Sequence, residues 1–132
     1  MARIPDDAPC PCLSGDQYGA CCGRFLSGLA QAATAEQLMR SRYSAFALLD
    51  AGYLLRTHHP DTAPAELELD PDMEWRRLDI VSTSRGGPLD NEGLVEFKAY
   101  YRHGAERGIL HEASRFVREG RRWYYVDGTF RD

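Results

Sequence analysis

Four cysteines fall within thirteen residues near the front of the chain, Cys10, Cys12, Cys21 and Cys22, and the 110 residues after Cys22 contain none. The pattern C-P-C, eight residues, C-C places two pairs of sulfurs at the ends of one short loop. Four thiolates close a tetrahedron around a zinc ion and leave no position open for water, so the chemistry they point to is structural rather than catalytic. Metal coordination contributes on the order of 10–16 kcal/mol to the folding of such a peptide. The knuckle, residues 10–24, has few apolar side chains of its own and is expected to be disordered without metal. Disulfides compete poorly, because adjacent Cys21 and Cys22 bridge each other only with ring strain. A C-x-x-C redox pair is absent, and iron–sulfur clusters also take four cysteines but at other spacings.

These thiols sit on a chain of 132 residues, room for one domain and a small appendage. Hydrophobic residues at 43% and charged residues at 27% are ordinary for a globular protein. The net charge of -4 argues against nucleic acid as a direct partner. Fifteen of the sixteen basic residues are Arg, with Lys98 the exception. Arg suits bidentate pairing with carboxylate or phosphate, and GC-rich coding gives the same bias. No apolar run is long enough to span a membrane. The first seven residues lack the apolar core of a signal peptide, which makes a reducing cytoplasm the expected compartment.

The pattern divides the chain into a zinc knuckle over residues 1–24 and a second domain over residues 25–132. Residues 1–9, with Pro5, Asp6, Asp7 and Pro9, read as flexible. Residues 25–33 read as a connector that docks through Phe25, Leu26 and Leu29. A helix should begin at Thr34, with Gln37 placed for a capping box and an apolar stripe of Leu38, Tyr43, Phe46 and Leu49. A short helix over 53–58 follows, stopped by Pro60, and residues 60–72 read as an exposed loop. Strand patterns then cover 73–84, 94–102, 109–118 and 123–126, separated by glycine-marked turns. Helices followed by an antiparallel meander make an α+β fold with the helices on one sheet face.

The run Cys10-Pro11-Cys12-Leu13-Ser14-Gly15, then Tyr18, then Cys21-Cys22-Gly23, resembles the SEC-C motif, the zinc module at the C-terminus of the SecA translocation ATPase. That resemblance implies Cys10, Cys12, Cys21 and Cys22 as ligands. Leu13 stands where the motif usually has Gly. In SecA the module contacts a chaperone partner and the ribosome, which implies a protein-binding role. Four further stretches are similar to the bacterial YchJ family: Leu38-Met39-Arg40-Ser41-Arg42-Tyr43-Ser44-Ala45-Phe46, Thr57-His58-His59-Pro60, Leu110-His111-Glu112-Ala113-Ser114-Arg115-Phe116, and Trp123-Tyr124-Tyr125-Val126-Asp127-Gly128. The resemblance covers nearly the whole chain. It implies a nuclear transport factor 2-like fold, a curved sheet wrapped around helices to form a cone.

Such cones often hold a pocket. If Leu110 and Phe116 point inward, strand parity carries Glu112 and Ser114 inward with them. A carboxylate there needs a partner, and Arg40 or Arg42 on the first long helix is the candidate. The pair could simply fix helix against sheet, or Glu112 could bind or catalyse. Trp75, Trp123 and Tyr125 read as core or as aromatic walls. His111 reads as a rim residue, His59 as a helix-end residue and Asp127-Gly128 as a turn. No nucleophile with a base, phosphate loop or catalytic metal set is present. Two functions follow. One is an adaptor that meets a protein or the ribosome through the knuckle. The other is a small-molecule binder or enzyme that uses the pocket, with Glu112 as acid or base.

Overall fold

The computed structural model describes residues 4–131. Helix α1 (Cys22–Leu26) leaves the knuckle directly, and α2 (Ala35–Ala47) and α3 (Ala51–Arg56) follow. The strands are β1 (Met73–Arg85), β2 (Glu92–His103), β3 (Glu106–Glu119) and β4 (Arg122–Phe130). They form one antiparallel sheet in the order β1-β2-β3-β4, the α+β arrangement expected.

Local chemistry sets the boundaries. The Thr34 hydroxyl accepts from the Gln37 amide at 3.1 Å, and the Gln37 side chain accepts from the Ala33 amide at 2.8 Å. The first bond satisfies an orphan donor of α2, and the second fastens the residue before the cap to the first turn. Asp50 caps α3 by accepting from the Tyr53 amide at 3.0 Å, so that helix starts two residues earlier than the sequence pattern suggests. Gly120 and Arg121, at φ +56° and +69°, make the two-residue turn between β3 and β4. Positive φ at both central positions matches the right-handed twist of a hairpin. β4 runs on to Phe130, past the turn expected at Asp127-Gly128. Asp127 instead faces Arg115 across the ladder and accepts two hydrogen bonds at 2.7 and 2.8 Å.

The sheet is bulged between Trp75 and Arg77, between Ile80 and Ser82, and between Arg115 and Phe116. Bulges bend strands and increase twist, and β1, β2 and β4 all reach α2. Cross-strand partners Ile80–Phe97–Glu112 and Leu78–Ala99–Leu110 share the face that receives α2. The core contains Leu38, Leu54, Val95, Phe97, Phe116 and Trp123.

The knuckle is part of this core rather than a pendant. Cys10, Cys12 and Cys22 are 2%, 0% and 1% exposed. Of the leading segment expected to be flexible, residues 1–3 lie outside the described residues. The remainder is fastened: Gly19 donates to the Asp6 carbonyl and Tyr18 to the Ala8 carbonyl, both at 2.8 Å. Buried backbone groups must find partners, and here the knuckle's own loop supplies them. The loop over 60–72 is mostly exposed, but Leu67 and Leu69 turn in against the core.

Candidate functional site

The knuckle loop brings its sulfurs to one point. One Sγ from each of Cys10, Cys12, Cys21 and Cys22 lies within 4.8 Å of the others. Cys12 and Cys21 are 3.7 Å apart, Cys21 and Cys22 4.0 Å. A tetrahedron with metal–sulfur bonds of about 2.3 Å has edges of about 3.8 Å, so the quartet has the dimensions of a closed metal site. These separations are far from a disulfide bond of about 2.05 Å, and all four cysteines are free.

Hydroxyl groups attend the sulfurs: Ser14 Oγ lies 3.2 Å from Cys21 Sγ and Ser44 Oγ 3.8 Å from Cys10 Sγ. Such outer groups orient metal ligands and temper their charge. The thiol of Cys10 is drawn down to about 3 by the S–H groups of Cys12 and Cys22. The same interaction, joined by burial, pushes Cys22 up. Thiolates this close repel one another, and a bound cation is what lets all four ionise together. Leu13 sits at the loop tip with φ +61°, a left-handed conformation that glycine adopts without strain.

A second feature lies across α2. Between α2, the loop after α3 and the inner sheet face is a partly open cavity of about 320 Å³. That is the lower end of the range for ligand pockets, about 300–1,000 Å³. Of the residues proposed for a pocket from sequence, Arg42, Trp75, Glu112, Ser114 and Tyr125 line it. The other two lie elsewhere. Arg40 bonds Glu36 at 3.0 Å and the Cys12 carbonyl at 3.1 Å, which makes it part of the seam between helix and knuckle. Trp123 is buried on another side of α2 and donates its indole N–H to the Ala33 carbonyl at 3.1 Å. Residues two apart on a helix point in nearly opposite directions, so only Arg42 of the two arginines reaches the cavity.

The ion pair expected between Glu112 and Arg40 or Arg42 is absent. Arg42 donates instead from Nη1 to the Leu54 carbonyl at 2.8 Å and to Thr57 Oγ1 at 2.7 Å. Its guanidinium also stacks on the Tyr125 ring at 4.5 Å. Burial lowers its pKa to about 10. Glu112 rests against Gly128, where a Cβ would run into Glu112 Oε1. Burial alone pushes the Glu112 carboxyl above its ordinary range. His58, not singled out from the sequence as a pocket residue, meets Tyr125 edge-on at 4.9 Å. Burial, reinforced by nearby Arg42, lowers its pKa. Trp75 stands between Tyr43, Phe46 and Tyr101 at centroid distances of 5.5–6.2 Å. Pro64 and Leu67 of the mostly exposed loop also line the cavity. The two flanking histidines have separate partners: His111 pairs with Glu96 at 2.7 Å, and His59, buried, pairs with Glu119 at 3.1 Å.

An aromatic chamber with one cation, one carboxyl and an imidazole is suited to hold a small organic molecule. It also places two groups, Glu112 and His58, where protons could be exchanged with it. Among the described residues no helix is long and apolar enough to cross a membrane.

Comparison with known proteins agrees with both parts. Residues 34–128 match the model "YchJ, middle NTF2-like domain", and residues 8–24 match the SEC-C motif. A UPF0225 protein of Streptomyces coelicolor is 53% identical over 94% of this chain and 97% of its own length. A UPF0225 protein of Bordetella parapertussis is 49% identical over 99% of this chain and all of its own length. The solution structure of a SEC-C motif containing protein from Rhodopseudomonas palustris superposes with a TM-score of 0.82 at 35% identity, covering 93% of this chain and 98% of that one. A crystal structure of a SEC-C motif containing protein from Psychrobacter arcticus gives 0.75 at 29% identity, covering 96% and 85%. With the SEC-C thiols at its front and the NTF2-like domain behind them, the chain belongs to the YchJ family, UPF0225.

Proposed function

We propose that this protein binds a small organic molecule in the cavity under α2, and that the thiolate quartet holds a structural zinc ion that fixes α2 in place. The observation that carries the reading is the cavity: about 320 Å³, partly open, aromatic-walled and furnished with Arg42, His58 and Glu112. Four sulfur ligands in a closed, mostly buried arrangement favour zinc over harder cations. Free thiols of this kind fit a reducing compartment such as the cytoplasm. If chemistry follows binding, Glu112 is the group placed to act as acid or base. The test is an amide NMR titration with toluene, a neutral apolar probe. Shifts confined to residues around Glu112, Tyr125 and Leu67 support the reading, and an unchanged spectrum at saturating toluene refutes it.

One observation favours a second reading, an adaptor that meets a protein or the ribosome through the knuckle. Leu13, 55% exposed, projects from the loop tip. Leu13 stands in the stretch that matches the SEC-C motif, where a partner of the knuckle would meet it. Co-sedimentation with purified ribosomes tests it. Binding that is lost in Leu13→Glu supports the adaptor, and equal or absent sedimentation of both proteins counts against it.

A further inference from the structure

The cavity holds an imbalance of charge that narrows what it could take. Arg42 is only 6% exposed. Among the described residues no carboxylate lies within 4.0 Å of it. Its hydrogen bonds to protein all leave from Nη1, so Nε and Nη2 keep their donors. A buried charge is costly unless paired, and a guanidinium is the side chain least able to escape the cost by losing its proton. Stacking on Tyr125 offsets part of that cost. Glu112 makes no hydrogen bond or ion pair with Arg42, whose partners are the Leu54 carbonyl, Thr57 Oγ1 and the Tyr125 ring. His58 adjoins the same Tyr125 ring and offers a hydrogen bond without a counter-charge. Around these groups the walls are flat and aromatic: Trp75, Tyr43, Phe46 and Phe97.

We propose that the cavity takes a small organic monoanion with a planar apolar body, its acidic group on the open edge of the Arg42 guanidinium and its body among Trp75, Phe46 and Tyr125. This rests on the reading of the cavity as a ligand site and adds the ligand's chemical class. A cationic or neutral ligand of the same shape leaves Arg42 uncompensated. An anion makes charge-assisted hydrogen bonds there and restores the balance. The Glu112 end of the chamber accepts or donates one hydrogen bond and so tolerates a hydroxyl on the far side of the ring.

Three probes with one ring system separate the possibilities: indole-3-acetate, 3-methylindole and tryptamine, titrated calorimetrically and by amide NMR. Indole-3-acetate should bind about tenfold or more tighter than 3-methylindole, the usual worth of a charge-assisted hydrogen bond. Tryptamine should bind weakest. Arg42→Gln should bring indole-3-acetate down to the level of 3-methylindole. Arg42→Lys, which keeps the charge, should retain part of the preference, and Glu112→Gln should leave the order of the three unchanged. The wild-type series decides the matter even if Arg42→Gln does not fold. Equal affinity for acid and neutral probe, or tightest binding of tryptamine, overturns the anion proposal while leaving the cavity a ligand site. Failure of all three to perturb cavity residues refutes the ligand site itself, and the proposal with it.

Discussion

Removing the zinc proposed for the thiolate quartet should destabilise the whole protein, not merely loosen its front end. In a pendant knuckle the sulfurs would face water, and chelation would leave the melting of the sheet and helices untouched. Here three of the four cysteines are buried within the shared core. The coordination free energy, on the order of 10–16 kcal/mol, rivals the total stability of an ordinary domain, about 5–15 kcal/mol, so the metal-free loop should leave its seat. What the remaining domain then loses can be estimated from the seam. The contacts of Cys10 with Ser44 and of the Cys12 carbonyl with Arg40 are each worth about 0.5–1.5 kcal/mol. Burial of Phe25 against the core is worth about 1.5–3 kcal/mol. Together these give about 3–6 kcal/mol. At about 3–5 °C per kcal/mol for a chain of this size, Tm should fall by about 10–30 °C. Calorimetry of the protein as purified and after a strong zinc chelator under reducing conditions measures this, with Cys12→Ser as an independent route to the same state. Elemental analysis of the starting material should give one metal per chain. A Tm shift below about 2 °C with confirmed metal loss would show that the seam contributes nothing and that the buried sulfurs are bystanders.

Three further outcomes are expected. Gly128→Ala drives a Cβ into Glu112 Oε1 and towards Ser114 Oγ; because the Glu112 carboxyl ends a flexible side chain that can swing aside, it should cost no more than about 1 kcal/mol, and pairing it with Glu112→Ala should remove that cost, so additive losses in a denaturation cycle would contradict the packing described. Glu112→Gln should stabilise the protein at neutral pH and not at acid pH: the folded state holds this proton more tightly than the unfolded chain, so wild-type stability falls as pH rises through the interval between the ordinary and the raised value, and a stability difference between the two proteins that does not change with pH would refute the assignment. Trp123→Phe removes the donor to the Ala33 carbonyl at a buried site and should cost about 2–4 kcal/mol, whereas Arg115→Ala, whose bidentate partner Asp127 is half exposed, should leave the urea midpoint nearly unchanged.

What the sequence made legible was local. Thr34 and Gln37 cap a helix because both donor and acceptor lie within four residues of each other. Glycine marks the β3–β4 turn because the twist of the hairpin demands positive φ there. Strand parity placed Glu112 and Ser114 beside Phe97 and Val95 on the face that receives α2. What stayed hidden depends on partners far along the chain. The rotation of α2 is set by the knuckle it seats against, and that rotation sends Arg40 to the Cys12 carbonyl and Arg42 to Leu54 and Thr57. The loop over 60–72, rich in Pro, Asp and Glu, carries few signals of burial, yet Pro64 and Leu67 close one side of the cavity. His58, at the end of the short helix expected over 53–58, carries no signal of its own until Tyr125, 67 positions later, is folded beside it.

The same helix explains why a metal site and a cavity occur in one small chain. Positions 40 and 44 of α2, one turn apart, face the knuckle through Arg40 and Ser44. Positions 39, 42, 43 and 46, at helical spacing on another side, face the cavity. A helix of thirteen residues is only marginally stable alone, and burial of Leu38, Met39 and Tyr43 against the sheet is offset in part by the burial of Arg42 in its middle. Metal held by the quartet, as proposed, would brace α2 from the knuckle side and so help keep Arg42 and the aromatic rings in place around the open space. Filling that space by collapse would bury Arg42 further without giving it an anion. On the proposed reading the chamber stays open for the reason that would make it selective, and an ion in the quartet behind α2 would be part of how the pocket keeps its shape.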